Sequence, residues 1–338
     1  MLLMSRILCC VIFVILGWVS PAIPHALADV LDASHDVLEI NKTHKDKCKI
    51  GLYINELYGF DYINHTFNAD FWIWSVCASP QTLHRLENLY FVNSKEVEGK
   101  KVRTEEQVYR YRRILGRFRH FWDLQAFPFD EQNLQIMIEH GAESVNTLLY
   151  ELDTEQSKMA TLDYSDVWDV KKFSAQISSF TSSSTWGDPG KGRISEYNRM
   201  VFSFDIDRKS KAVFWRLTIG VFSAVMIMMM TFFVHPKVDA LHNAQLTVMI
   251  GALFSVLMSY RNVGDYLGYT ERLSLVDGIH IGGIIFILIA GCTVVIKRHL
   301  VCHRNRTIRH PDILGFATYV SAYVLFNVGV FVWATQMT

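Results

Sequence analysis

The chain reads as an extracellular all-β, immunoglobulin-like sandwich followed by a four-helix transmembrane bundle. Three observations predict this. Residues 29–211 carry short runs in which apolar and polar residues alternate, the signature of half-buried strands. Residues 212–338 hold four apolar segments, each of about 20 residues or more, enough for a helix to cross roughly 30 Å of hydrocarbon. The amino terminus has the make-up of an export leader.

The leader comes first. Arg6 supplies the positive charge, Ile7–Val19 the apolar stretch and Ala26-Leu27-Ala28 the small-residue cleavage site, so 1–28 reads as a signal peptide and the mature chain begins near Asp29. An uncleaved anchor is the alternative. Export places 29–211 outside the cytoplasm, and four crossings return the carboxyl terminus to that side. The expected location is the cell (inner) membrane, multi-pass.

In the exported half, Cys48, Ile50, Leu52 and Ile54 share one face of a strand, and Phe67, Ala69, Phe71 and Ile73 share one face of the next. Further strand-like runs are Val102–Leu115, Asn133–His140, Lys172–Ser182 and Tyr197–Asp207. Many short antiparallel strands between turns make a sandwich. Pro80–Arg85 reads as a short helix or turn. Ser182–Gly192, rich in Ser and Gly around Trp186, reads as an exposed hairpin tip, either a capping loop or a solvated one.

The apolar segments lie near Ala212–Val234, Ala240–Asn262, Leu273–Ile296 and Ile313–Thr335. Lys297, Arg298, Arg304, Arg306 and Arg309 crowd the link between the third and fourth, with no acidic residue until Asp312. That is the positive-inside pattern. The link is too short and too close to the membrane for nucleic acid, so lipid headgroups are its expected partner. Bulk charge is silent, since 33 basic residues balance 33 acidic ones.

The six cysteines divide by compartment. Cys9 and Cys10 leave with the leader, Cys292 lies in a span and Cys302 faces the cytosol. Cys48 and Cys77 remain in the oxidising compartment. Pairing them across a hairpin opposes Leu52 to Ile73, Ile54 to Phe71 and Tyr58 to Phe67, placing apolar residues on one face. A one-residue slip breaks that match. A disulfide between them is therefore expected.

The second span differs from its neighbours. Thr247, Gly251, Ser255 and Ser259 recur at four-residue spacing, which puts small and polar residues on one side. Two readings stand: a pore wall, or close helix packing. Several copies around an axis would favour the pore. No catalytic constellation is present, so no enzyme is expected. Gly190-Lys191-Gly192 is too short for a phosphate loop. His299 and His303 share a helix face without further ligands, so no metal or cofactor is expected. The sequons at Asn41 and Asn64 matter only in a eukaryotic host.

Asp123-Leu-Gln-Ala-Phe-Pro-Phe-Asp-Glu-Gln132 resembles the central loop of the pentameric ligand-gated ion channels, the Cys-loop receptor superfamily. It lacks the flanking cysteine pair, as in the bacterial branch. Trp168-Asp-Val-Lys-Lys-Phe173, Asp205-Ile-Asp-Arg208, Leu267–Asp277 and the short link Lys297–Pro311 are similar to family segments at the same places, so the resemblance spans nearly the whole mature chain. Two family prolines, in the first span and after the second, are replaced by Gly220 and Gly268.

The resemblance implies a ring-shaped homopentamer gated by a small-molecule agonist or by protons. Helical spacing through Asn243, Thr247, Gly251, Phe254, Met258, Arg261 and Asp265 traces one stripe, which the family alignment makes pore-lining, with Phe254 and Met258 as a hydrophobic constriction. The permeant ions are expected to be cations. The implied ligand site lies between subunits, with Tyr90, Phe91, Tyr150, Glu151, Trp186 and Tyr197 on one face and Trp72, Trp74, Tyr109 and Tyr111 from the neighbour. Aromatic faces with a carboxylate suit an ammonium ligand. Trp168 is expected in the core instead. Asp61, Phe127, Pro128, Phe129, Asp130 and Arg208 form the implied coupling cluster, with Arg208 between two carboxylates. The alternative function is a membrane-tethered receptor that signals through a partner and conducts nothing.

Overall fold

The computed structural model describes residues 46–79, 89–99, 103–105, 108–140, 148–160, 167–182, 195–235, 237–268, 272–302 and 312–336. The leader, Pro80–Arg85 and the hairpin tip with Trp186 lie outside these residues. The described part is a β-rich amino-terminal domain followed by four apolar helices.

The strands are β1 (Asp46–Asp61), β2 (Thr66–Cys77), β3 (Leu89–Phe91), β4 (Ser94–Gly99), β5 (Arg103–Glu105), β6 (Tyr109–Arg119), β7 (Glu131–His140), β8 (Leu148–Leu152), β9 (Lys158–Met159), β10 (Trp168–Ser182) and β11 (Ser195–Arg208). The larger sheet runs β4-β6-β2-β1-β8, with β5 on β6 and β9 on β1; the smaller runs β10-β11-β7-β3. Among the described residues, β8 and β9 pair in parallel with β1 and the other ladders are antiparallel. Ile50, Leu52, Phe67 and Phe71 of the larger sheet share one core with Ile136, Ile138, Phe202 and Phe204 of the smaller. The predicted alternation is therefore the inward face of a two-sheet sandwich.

Cys48 and Cys77 are bonded, at a Cα separation of 4.2 Å. Leu52 faces Ile73 and Ile54 faces Phe71, as expected, but Tyr58 faces Asn68 rather than Phe67. A bulge between Ile54 and Glu56 shifts the register; the extra residue bends the strand. The expected strand Val102–Leu115 is instead two, β5 and β6.

The helices are α1 (Ala212–Met229), continued by a 3₁₀ turn (Met230–Phe233), α2 (Asp239–Leu267), α3 (Leu275–Cys302) and α4 (Ile313–Gln336). By length and composition all four can cross a membrane, which suggests a multi-pass membrane protein. Ser274 and Asp277 start α3 with a reciprocal box: the Ser274 N–H donates to Asp277 Oδ2 at 2.8 Å, and the Asp277 N–H donates to Ser274 Oγ at 3.1 Å. α3 runs six residues past the expected end at Ile296, and in the added stretch Lys297 and Arg298 pair with Asp312 and Asp239.

The disulfide closes a loop of 29 residues in sequence separation. Replacing both cysteines with serine should lower sandwich stability by about 3–4 kcal/mol through unfolded-state entropy. Denaturation of the reconstituted chain, with and without reductant, checks this; equal midpoints would refute it.

Candidate functional site

The α2 helix is held by its own chain on one face. Gln245, Ala252, Val256, Val263 and Leu267 are buried. Gln245 donates to the Thr231 carbonyl at 3.0 Å. At about 100° per residue, Asn243, Thr247, Gly251, Phe254, Met258, Arg261 and Asp265 point roughly the opposite way. All seven are exposed, Phe254 at 66%. A Cβ at Gly251 would meet nothing within 4 Å, so this glycine does not serve close packing inside one chain. Ser259 belongs to the other face: its hydroxyl reaches the Leu217 carbonyl of α1 at 3.1 Å.

The second feature is the junction of sandwich and helices. Arg208, at the end of β11, is buried with Asp130, their side chains 1% and 0% exposed. Arg208 Nε donates to Asp130 Oδ1 at 2.6 Å and Nη2 to Oδ2 at 3.2 Å. Nη1 donates to the Tyr62 hydroxyl at 3.1 Å. The guanidinium carbon sits 4.2 Å from the Trp168 ring centre and 4.5 Å from that of Phe127, within cation–π reach. Gln132 Nε2 donates to Asp130 Oδ2 at 2.8 Å and to the Asp123 carbonyl at 2.6 Å. Burial works against the Arg208 charge, but Asp130 and Tyr62 outweigh it and hold its pKa above the ordinary value. Burial raises the Tyr62 pKa, with Arg208 opposing.

From this pair, contacts lead to every helix. The Tyr266 ring near the end of α2 lies 6.2 Å from Tyr62 and 5.9 Å from Phe127. Phe129 packs on Phe214 of α1 at 5.6 Å and Phe331 of α4 at 5.4 Å. The Leu275 N–H of α3 donates to the Gln125 carbonyl at 2.7 Å. Gly268 ends α2 with φ +76°, and a Cβ there would lie 2.9 Å from Ile63, so a side chain is excluded on both counts.

Asp61 corrects the expected cluster. Its carboxylate accepts from the Asn64 N–H and Nδ2, both at 2.8 Å, which holds its pKa below the usual range. Its carbonyl accepts from Trp122 Nε1 at 3.0 Å. The carboxylate partner of Arg208 is Asp130. Asp61 shapes the turn that delivers Tyr62, because a short acidic side chain bonds readily to nearby backbone.

The ligand candidates divide. On the outer face of the larger sheet, Trp72 lies 5.9 Å from Tyr111, which lies 5.5 Å from Tyr109. Trp74 is opposite Tyr111 in register and donates Nε1 to Asp153 at 3.1 Å. These four are brought together. Tyr90 is exposed on β3. Phe91 and Tyr150 instead fill the sandwich core, a correction to the ligand-facing set. Tyr197 is buried on β11, opposite Phe180. Glu151 is exposed and pairs with Lys47 at 3.1 Å. Trp186 lies outside the described residues.

No protein-family model matches the chain, and no curated protein matches it. The layout of a β-rich domain before four apolar helices is compatible with that of pentameric ligand-gated channels. Sequence reasoning missed Tyr62, Trp122, Gln125, Gln132, Phe214, Tyr266 and Phe331. The aromatic density flanking Phe127–Asp130 was the available signal for Trp122. The others depend on which loops the fold brings together.

Two outcomes follow for the junction. Arg208→Ala or Asp130→Asn alone should each cost about 3–5 kcal/mol, since either leaves a buried polar group unpaired. The double variant should cost clearly less than the sum. Thermal unfolding of the four proteins gives the cycle, and strict additivity would break the pairing. The other concerns His120, which lies 4.6 Å edge-on to Trp122. Burial pushes its pKa down to about 4, with its contact to Gln132 opposing and His65 adding to the fall. The fold thus prefers the neutral ring. Stability should be full above about pH 6.5 and fall toward about pH 4, by on the order of 2–3 kcal/mol. His120→Phe should flatten that stretch of the stability–pH curve; an unchanged slope would clear His120 of the effect.

Proposed function

We propose that the chain is the subunit of a homopentameric ligand-gated ion channel whose pore is lined by α2. One observation carries this reading: the face of α2 left uncovered by its own chain holds Asn243, Thr247, Arg261 and Asp265 along with Phe254 and Met258. Polar side chains at membrane depth need protein or water. Five copies around an axis would supply water on one side and protein on the other. Phe254 and Met258 would then form rings that dewet when narrow and conduct when widened.

The agonist, a small molecule or protons, acts at the interface between sandwich domains, where the Trp72–Tyr111–Tyr109 face suits an ammonium group by cation–π attraction. Agonist binding favours whichever arrangement it binds better. The shift reaches α2 through Tyr62, Phe127 and Tyr266, with Arg208–Asp130 keeping the two loops in step. Cations are the proposed permeant species. Asn243 adds no charge at the inner end, and Arg261 and Asp265 oppose one another near the outer end.

Purified chain in planar bilayers tests this, with current recorded across a panel of amines and pH values. Agonist-evoked current is expected. Phe254→Ser should raise the resting current roughly tenfold, the weight of about 1.4 kcal/mol on the wetting equilibrium. Agonist binding with no current under any condition would favour a non-conducting receptor. An unchanged leak in Phe254→Ser would move the gate elsewhere.

A further inference from the structure

An ionisable side chain inside a membrane span is costly to keep and is a functional candidate by default. His280 of α3 is such a residue, 0% exposed. Its Nδ1 lies 2.8 Å from the Val276 carbonyl, and its Nε2 lies 3.1 Å from Ser259 Oγ of α2. The same Ser259 Oγ lies 3.1 Å from the Leu217 carbonyl of α1. Gly220 of α1 eases this approach, since a Cβ there would sit a tight 3.3 Å from Ser259 Oγ. Three helices therefore meet at one hydroxyl.

Counting protons exposes a choice. Both carbonyls only accept, so Nδ1 must carry a hydrogen to bond Val276. The hydroxyl has one proton and two acceptor directions, Leu217 and His280. With a neutral ring, Nε2 has no hydrogen, so Ser259 can satisfy His280 or Leu217 but not both. With an imidazolium, Nε2–H donates to Ser259 Oγ and the hydroxyl is released to Leu217. All three contacts are then hydrogen bonds.

We propose that Ser259 and His280 form a proton-operated latch across α1, α2 and α3, in which the ring's second proton moves the Ser259 hydroxyl from His280 to the Leu217 carbonyl. The neutral latch ties α2 to α3. The protonated latch ties all three helices in series. The added proton comes from bulk water, and no covalent bond changes. Ser259 follows Met258 directly in the chain, so the latch stands behind the proposed gate. Its effect on current rests on the channel reading; the latch itself does not. Other titratable groups near the ring are Tyr260 of α2, whose ring centre is 5.7 Å away, and Asp277 of α3, which is bound to Ser274. From α4, Tyr319 and Tyr323 lie against Phe286 instead, and α1 presents the Leu217 carbonyl and Gly220.

The test uses the full chain in lipid bilayers with ¹⁵N-labelled histidine. The difference from His280→Gln isolates the His280 signals among the 13 histidines. Ser259→Ala removes one oxygen and adds no bulk. The expected result is an Nδ1–H ring with a hydrogen-bonded Nε2 at high pH, a doubly protonated ring at low pH, and an Nε2 signal displaced in Ser259→Ala. A ring that stays neutral throughout the pH range the protein survives would overturn the latch. So would an Nε2 signal indifferent to Ser259→Ala. In bilayers, both variants should lose a pH-dependent step in the current. A step retained in full by both would overturn the link to the gate. If the wild type carries no current, the channel reading fails while the nitrogen signals still decide the latch.

Discussion

The buried contact between Arg208 and Asp130 is the constraint on which the junction depends. A guanidinium and a carboxylate without water between them must match in geometry, because either alone would be uncompensated. Here two nitrogens meet two oxygens, a tyrosine hydroxyl takes a third nitrogen, and aromatic faces cover the rest. Such pairs add little net stability over an apolar substitute, but they set register strongly. The register set here is that of Asp130, just before β7, against Arg208 at the end of β11, the last strand of the sandwich. Phe127 and Phe129 are three residues and one residue before Asp130. Holding Asp130 fixes where both rings land: one beside Tyr266 of α2, the other between α1 and α4.

The two halves are held differently. The sandwich has a closed core, with inward residues at or near zero exposure, and a disulfide tying β1 to β2. Among the described residues, the α2 helix packs on its own chain along one face, and its outer stripe is exposed.

Much of this was legible in the sequence, for physical reasons that also mark where legibility ended. Alternation at Cys48–Ile54 and Phe67–Ile73 exposes the inward faces because a sheet with one buried side forces a period of two. The cysteine pair followed from that register. The bulge after Ile54 did not, since an extra residue leaves no compositional trace, and Tyr58 moved to Asn68. The resemblance implied both Asp130 and Asp61 as partners of Arg208; Asp130 is one, while the nearest donors to Asp61 are local backbone and Asn64. Phe91 and Tyr150 were implied as ligand-facing by the resemblance alone, because an aromatic in a short strand carries no sign of which side it faces. Trp168 was legible as core, but its place over Arg208 was not. The α2 stripe was legible because a helix keeps its angular order whatever surrounds it.

That stripe also limits how copies can meet. Chains inserted alike run parallel in the membrane, so a two-fold axis against the stripe would set Arg261 against Arg261 and Asp265 against Asp265. Like charges facing one another at a membrane edge repel, and closing them away from water adds a desolvation cost. A head-to-tail ring lowers both costs, because it holds like charges farther apart and keeps them in water. Each subunit then presents the flanks of α2 to its neighbours and the stripe to a shared axis, where water solvates the charges. In the proposed assembly, Asn243, Thr247 and Gly251 would be small enough to leave that axis open at one end. Phe254 and Met258 are large enough to narrow it. Under the proposed assembly, the residues that make the stripe unsuited to lipid are the ones that make an axial water column possible, and the apolar residues among them set where that column breaks.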